Sequence, residues 1–351
     1  MTNFITFIKQ KIFVVTGVTV FFIVIVFLIV QSPAVSKNET GEDVAFPTPA
    51  QRAVVTVEGV DAIDDLTDIV YNPQKEVFYV SSFDEGIVYI VGVKSKRIDA
   101  QVNVDFTHKL FLDEQAQVLY VSAGDNRVVK VNVDTFTEEA RVYVNRKPSG
   151  MVLDKSSGYL YVTTEFGNTV DVVDTSTMSV VTSISVGKGP TDVAIGRSGQ
   201  FVFVIEREDA SIGVISTQTQ RYIKNVTFTG RPHRIYSTAE NDVLLILDQY
   251  TNSLVVFDES TQSIAKSIPI IPFPSDLVID SVNKNVYVTS FSDNTVAVID
   301  FESEQVEEII SLSSTAFSFT AGLNNIHMVP GSSEVLVSNT NTGELHFVSV
   351  R

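Results

Sequence analysis

Three aspartates, Asp68, Asp192 and Asp276, each stand second in a polar pair that precedes a short apolar run, and other polar pairs take the same place elsewhere. The pairs read Thr67-Asp68, His108-Lys109, Ser149-Gly150, Thr191-Asp192, His233-Arg234, Ser275-Asp276 and, after a longer loop, Asn325-Ile326. If these positions converge, the three carboxylates and the Asn325 carbonyl offer the hard oxygen donors that Ca2+ or Mg2+ takes. The competing arrangement is a solvated polar mouth whose acids pair with Lys109 and Arg234. His108 and His233 share one position, and with His327 and His346 they are the only histidines; no two have the spacing of a zinc pair. Asp68, His108, Lys109, Asp192, His233, Arg234, Asp276 and Asn325 are therefore the candidate ligand-binding residues. Asp68, Asp192 and Asp276 are the candidate metal ligands, and no other cofactor is indicated.

Other catalytic groupings are absent from the sequence. Without cysteine the chain has no disulfide, thiolate metal site or cysteine nucleophile. "GKGPTD" at Gly187 lacks the Ser or Thr that a phosphate-binding loop needs after its lysine, and no nucleophile elbow occurs.

Positions so far apart can meet only if the chain repeats. The segments "VFYVSS", "VLYVSA", "YLYVTT", "FVFVIE", "VLLILD", "NVYVTS" and "EVLVSN" align at Val80, Val121, Val162, Val204, Ile246, Val288 and Val337, with gaps of 41, 41, 42, 42, 42 and 49 residues. The third repeat reads "SGMVLD", "YLYVTTE", "TVDVVD", "SVVTSISVG". These runs are β-branched, aromatic and bounded by Gly, Asn, Asp or Ser, the pattern of four successive antiparallel strands. Seven such units predict an all-β, seven-bladed β-propeller of four-stranded blades over residues 52–351, with the polar pairs ringing the mouth of its central channel on the top face. No Trp is present, so the WD40 signature is missing.

Tyr79-Val80-Ser81, Tyr120-Val121-Ser122, Tyr161-Val162-Thr163 and Tyr287-Val288-Thr289, with third strands such as "NTVDVVDT" and "NTVAVIDF", resemble the YVTN-type β-propeller repeat proteins, which are related in sequence style to propeller lactonases. Only Leu336-Val337-Ser338-Asn339 keeps the final Asn, and the fourth and fifth repeats depart furthest. The resemblance implies a propeller and admits a lactonase-like activity. A quinone-dependent dehydrogenase fits less well, because the Trp that commonly stacks on such cofactors is absent.

The last repeat stops after "ELHFVSVR", a third strand, whereas "RAVVTV" at Arg52–Val57 is a fourth strand with no blade before it. The N-terminal strand is expected to close blade seven, because an open ring would leave an unpaired edge. Since fourth strands run from bottom to top, the preceding segment should enter at the bottom face.

That segment begins with residues 1–11, a short cytoplasmic tail carrying Lys9 and Lys11. Residues 12–30, "IFVVTGVTVFFIVIVFLIV", are uncharged and long enough for a transmembrane signal-anchor helix, and the basic flank places the N-terminus in the cytoplasm. Residues 31–51 read as a flexible linker, which leaves the propeller outside the cytoplasm, at the cell surface or in the periplasm, as a monomeric ectodomain. The membrane is thus one partner, through the N-terminal helix. Formal charge is −17, and beyond residue 30 there are 23 basic against 42 acidic groups, a surface that repels nucleic acid.

Asn126, Asn168, Asn252 and Asn294, between second and third strands, and Asp134, Asp174, Asp258 and Asp300, which end third strands, recur with the repeat and read as turn residues. The insertion at Ser311–Asn325 carries Phe317, Phe319 and Leu323, which could cap the channel or meet a partner. Asn38 and Asn225 head glycosylation sequons. The expected function is a membrane-tethered binding or scaffolding module for a protein, glycan or small ligand on its top face. The alternative is a metal-dependent lactonase or other hydrolase at the channel mouth.

Overall fold

Short β-branched and aromatic runs separated by turn residues cannot bury their apolar faces alone, and in the computed structural model each repeat becomes a four-stranded antiparallel sheet stacked on its neighbours. The structure describes residues 35–37, 43–58, 63–238, 241–312 and 322–350. The innermost strands are Leu66–Asn72, Thr107–Asp113, Pro148–Asp154, Pro190–Ile195, Pro232–Ser237, Pro274–Asp280 and Leu323–Met328. Each contacts the innermost strand of the next blade, and the seventh contacts the first, so the ring closes. The protein is a seven-bladed β-propeller.

One hydrophobic cluster fills each gap between adjacent blades. The tyrosine of the second-strand motif supplies much of this packing: Tyr79 is buried with Leu119 and Val121 of the next blade, and Tyr161 with Val202 and Val204. The Ser or Thr two residues on faces a bulge in the first strand and satisfies its freed backbone groups. Ser122 Oγ accepts from the Lys109 N–H at 2.9 Å, and Thr163 and Thr289 donate to the Gly150 and Asp276 carbonyls at 3.2 Å each.

The recurring asparagines clamp loops. Asn126, Asn168, Asn252 and Asn294 have φ of 69°, 53°, 52° and 56°. Their side-chain carbonyls accept the N–H of Lys147, Gly189, Phe273 and Gly322 in the loop leading to the next blade. Asp174, Asp258 and Asp300 accept backbone N–H groups two or three residues on. In blade two Asn132 does this instead of Asp134, whose carboxylate pairs with Lys75.

Val54–Thr56 pairs antiparallel with Glu344–Ser349 as the fourth strand of blade seven. Val57, 2% exposed, enters the cluster between blades seven and one, and Glu58 exchanges backbone hydrogen bonds with Lys96 and Ile98 at the outer edge of blade one.

The preceding segment departs from the expectation of a free coil. Ala50–Gln51 adds a fifth strand to blade six, parallel to Gln305–Ser311, and Arg52 donates to both Glu308 carboxylate oxygens at 2.7 Å. Phe46 is buried with Ile271, Ala297 and Ile309. Ile271 precedes the first strand of blade six on the top side, so the described segment runs along that half of the blade edge instead of entering from below. An outer strand with free backbone groups recruits whatever chain passes it, and one phenylalanine anchors the rest. Val35–Lys37 and Asp43–Ala45 pair antiparallel as a separate two-stranded sheet.

Among the described residues no helix is long and apolar enough to cross a membrane; the predicted span 12–30 lies outside them, as do Asn38, Phe317 and Phe319. Leu323 is not a loop residue but begins the innermost strand of blade seven, 1% exposed beside Ile326 and Met328. Asn225 lies exposed on the outer strand Arg221–Thr227.

Candidate functional site

The first-strand bulges turn the polar pairs into the channel mouth. Asp68 pairs with Ser81, Asp276 with Thr289 and Asn325 with Ser338, so Asn325 is the counterpart of the aspartates and the blade-seven pair is Asn324-Asn325 rather than Asn325-Ile326. The insertion before blade seven hid this one-residue offset.

Each aspartate is committed to the next blade through one carboxylate oxygen. The Leu110 N–H donates to Asp68 at 2.9 Å, the Ile235 N–H to Asp192 at 3.0 Å and the Ile326 N–H to Asp276 at 3.0 Å. Gly150 makes room for Asp192, since a Cβ there would lie 2.7 Å from Asp192 Oδ1. The second oxygens of Asp68 and Asp276 meet cations and a phenol. Lys109 Nζ donates to Asp68 Oδ1 at 3.1 Å, and the Tyr236 hydroxyl donates to Asp276 Oδ1. Arg234 Nη2 donates to Asn325 Oδ1 at 3.1 Å, and the guanidinium lies 3.9 Å from Asp68 Oδ1 and 4.0 Å from Asp276 Oδ1.

The competing arrangement, acids paired with Lys109 and Arg234, is the one this geometry displays. A hard cation needs six to eight oxygens around an open centre, and here an ammonium and a guanidinium stand among the carboxylates. Among the described residues no group of three or more His, Cys, Asp or Glu could hold a metal ion.

Burial sets the protonation states. It raises the Asp192 pKa, which Arg234 and Lys109 only partly pull back. Lys109 is lowered by burial and by repulsion from Arg234. Burial would lower Arg234 too, yet Asp276, Tyr236, Asp68 and Asp192 together raise it. His108 falls to about 3, from burial and then Lys109, and His233 falls well below its ordinary range, from burial and then Arg234. Both imidazoles are neutral at pH 7.

A depressed histidine pKa makes stability fall with acid, because the unfolded chain binds protons that the folded chain refuses. Stability should be fully present above pH 6.5 and be lost from there down toward the folded pKa, about 3 for His108. Between pH 6.5 and 5 His108 should account for up to about 2 kcal/mol, and His233 acts in the same direction. Urea unfolding at the two pH values reads this, and His108→Asn and His233→Asn should each flatten the dependence.

Above the mouth lies a funnel of about 410 Å3 whose walls include His108, Lys109, Thr191, Asp192, Arg207 and Arg234. Ten buried side-chain polar atoms among the described residues make no hydrogen bond, and five surround this funnel: His108 Nδ1, Thr191 Oγ1, Arg207 Nε, His233 Nδ1 and Arg234 Nε. Buried polar atoms are ordinarily satisfied, and half of these exceptions fall in this one place. His327 and His346 are elsewhere: His327 packs beside Tyr71 and Phe78, and His346 beside Thr56 and Glu344.

Sequence reasoning missed Tyr236 and Arg207. Tyr236 lies two residues after Arg234, where strand alternation returns a side chain to the same face, a signal that was readable. Arg207 sits in a loop after the atypical "FVFVIE" strand and gave none.

A family model described as "Lactonase, 7-bladed beta-propeller" matches residues 93–267. Among solved structures the chain is similar to Kuenenia stuttgartiensis hydrazine synthase, with a TM-score of 0.70 and 16% identity, covering 84% of this chain and 98% of that one. At that identity the likeness is one of fold. No curated protein matches the chain.

Proposed function

We propose that the protein is a membrane-tethered, extracytoplasmic binding module whose top-face funnel takes a small anionic ligand. The observation that carries this reading is the cluster of unsatisfied buried atoms around Arg234 and Arg207. The aspartates beneath already accept backbone N–H groups; Arg207 Nε has no hydrogen-bond partner and Arg234 Nε lies 4.0 Å from Asp276 Oδ1, beyond hydrogen-bond reach, so each can still donate to a carboxylate or phosphate oxygen, the acceptor a guanidinium matches best. Tethering rests on the apolar run at residues 12–30 and the lysines before it.

Calorimetric titration of the full chain with gluconate, citrate and acetate tests the reading. Arg234→Lys keeps the charge that Asp68 and Asp276 face but removes the planar fork, so it should weaken binding at least tenfold while melting stays near the parent value. Absence of binding at millimolar ligand, or an unaffected variant, would overturn it. A rise in melting temperature with millimolar Ca2+ that Asp192→Asn abolishes would favour a cation instead.

The family match supports a second reading, hydrolysis of a lactone in the same funnel. It asks for a base with a pKa near 7, which His108, at about 3, does not supply. Turnover of δ-lactones above the spontaneous rate, abolished by Asp192→Ala, would establish it.

A further inference from the structure

We infer a second binding site on the top-face rim, over blades three to five, for an acidic saccharide of the uronic acid class. A groove of about 540 Å3 lies there between Glu165, Arg207, Glu208, Arg231 and Tyr250. It borders the funnel, sharing Glu165 and Arg207 with it, and extends from there to Arg231 and Tyr250.

Its walls are fixed by departures from the repeat. Where other blades carry Ser82, Thr164 or Ser290, blades four and five carry Glu206 and Asp248, both buried. Asp248 Oδ1 accepts the N–H of Arg231, Tyr250 and Thr251 at 2.9, 2.8 and 3.1 Å, locking two groove-bearing loops to one carboxylate. Gly230 is required there, since a Cβ would overlap that carboxylate. Glu206 accepts the Gly187 N–H at 2.8 Å and the Ser211 hydroxyl at 2.6 Å, holding the loop that leads to Gly189. The two repeats that fit the motif worst are thus the two that build this rim.

The chemistry on those walls selects the ligand class. Tyr250 is 77% exposed, a flat apolar face set among polar groups. Arg207 Nε is buried without a hydrogen-bond partner; burial and then repulsion from Arg231 lower its pKa, against the attraction of Glu165 and Glu208. In a chain of net charge −17, two guanidiniums side by side call for an anion. Glu165 and Glu208 stand in the same groove, however, and would repel a purely acidic peptide. A sugar acid satisfies all of them: its carboxylate meets the guanidiniums, its hydroxyls donate to the glutamates, and the C–H face of its ring stacks on Tyr250.

The test is titration of the full chain with a six-residue oligogalacturonate, its fully methyl-esterified form and hexaglutamate at physiological salt. The oligogalacturonate should bind, the ester at least tenfold more weakly, and hexaglutamate not measurably. Tyr250→Ala and Arg231→Gln, both exposed positions, should each cost at least tenfold with melting unchanged. Arg234→Lys in the funnel should leave this binding intact, which separates the site from the funnel. Absence of oligogalacturonate binding, equal binding of the ester or of hexaglutamate, or indifference to Tyr250→Ala would each overturn the proposal.

Discussion

Deleting Phe46–Val57 should leave a ring that melts at least ten degrees lower or does not fold. This short segment joins three blades. Phe46 fills a pocket of blade six, Ala50–Gln51 extends that blade's sheet, Val54–Thr56 completes blade seven, and the chain then passes to blade one at Glu58. Losing the buried Phe46 and Val57 side chains removes about 1.5–3 kcal/mol each. The lost backbone hydrogen bonds, among them Val57 N–H to Leu345 O and Ser349 N–H to Ala53 O at 2.9 Å, add roughly 1 kcal/mol apiece. Their sum approaches the whole stability of an ordinary domain, about 5–15 kcal/mol. Thermal unfolding by circular dichroism, compared with the intact chain, reads the effect directly. Arg52→Ala removes only the partly exposed pair with Glu308 and should cost no more than about 1 kcal/mol. Unchanged melting of the deletion would mean that blade seven closes without its N-terminal strand.

The ring and its closure were legible because repetition amplifies a weak signal. A single "YVTS" is a poor indicator, but seven aligned copies fix strand order, and a missing fourth strand at one end matched by a spare one at the other fixes the closure. The recurring asparagines were legible for the same reason, as positions needing a left-handed backbone. What repetition cannot show is what happens once. Ala50–Gln51 pairs parallel with blade six because a free strand edge happens to lie beside it, and nothing in two residues announces that.

The channel mouth was half legible. Asp68, Asp192 and Asp276 were identified by position, but their partners are backbone N–H groups 42, 43 and 50 residues ahead, and a backbone donor has no letter in a sequence. Carboxylates that read as candidate cation ligands each hold a backbone N–H of the next blade. Glu206 and Asp248 show the converse: as departures from a motif they weakened the family resemblance, while in three dimensions each organises a loop.

Asp276→Ala should be the most damaging single substitution at the mouth, at about 3–5 kcal/mol. It would strand three donors at once: the Ile326 N–H of blade seven, the Tyr236 hydroxyl of blade five and the Arg234 guanidinium, 8% exposed, which has Asp276 as one of its few counter-charges. Tyr236→Phe removes one donor and leaves the carboxylate its other contacts, so about 1 kcal/mol is expected. If the cost of Asp276→Ala comes from an uncompensated buried cation, removing that cation should recover part of it. The double variant Asp276→Ala with Arg234→Met should then be less destabilised than the sum of the two single changes by at least about 1 kcal/mol. Urea unfolding of the four proteins closes this cycle. An additive double variant would place the cost in the blade-to-blade hydrogen bond alone, and Arg234 would then be held mainly by Asn325 and Asp68, free to turn toward a ligand.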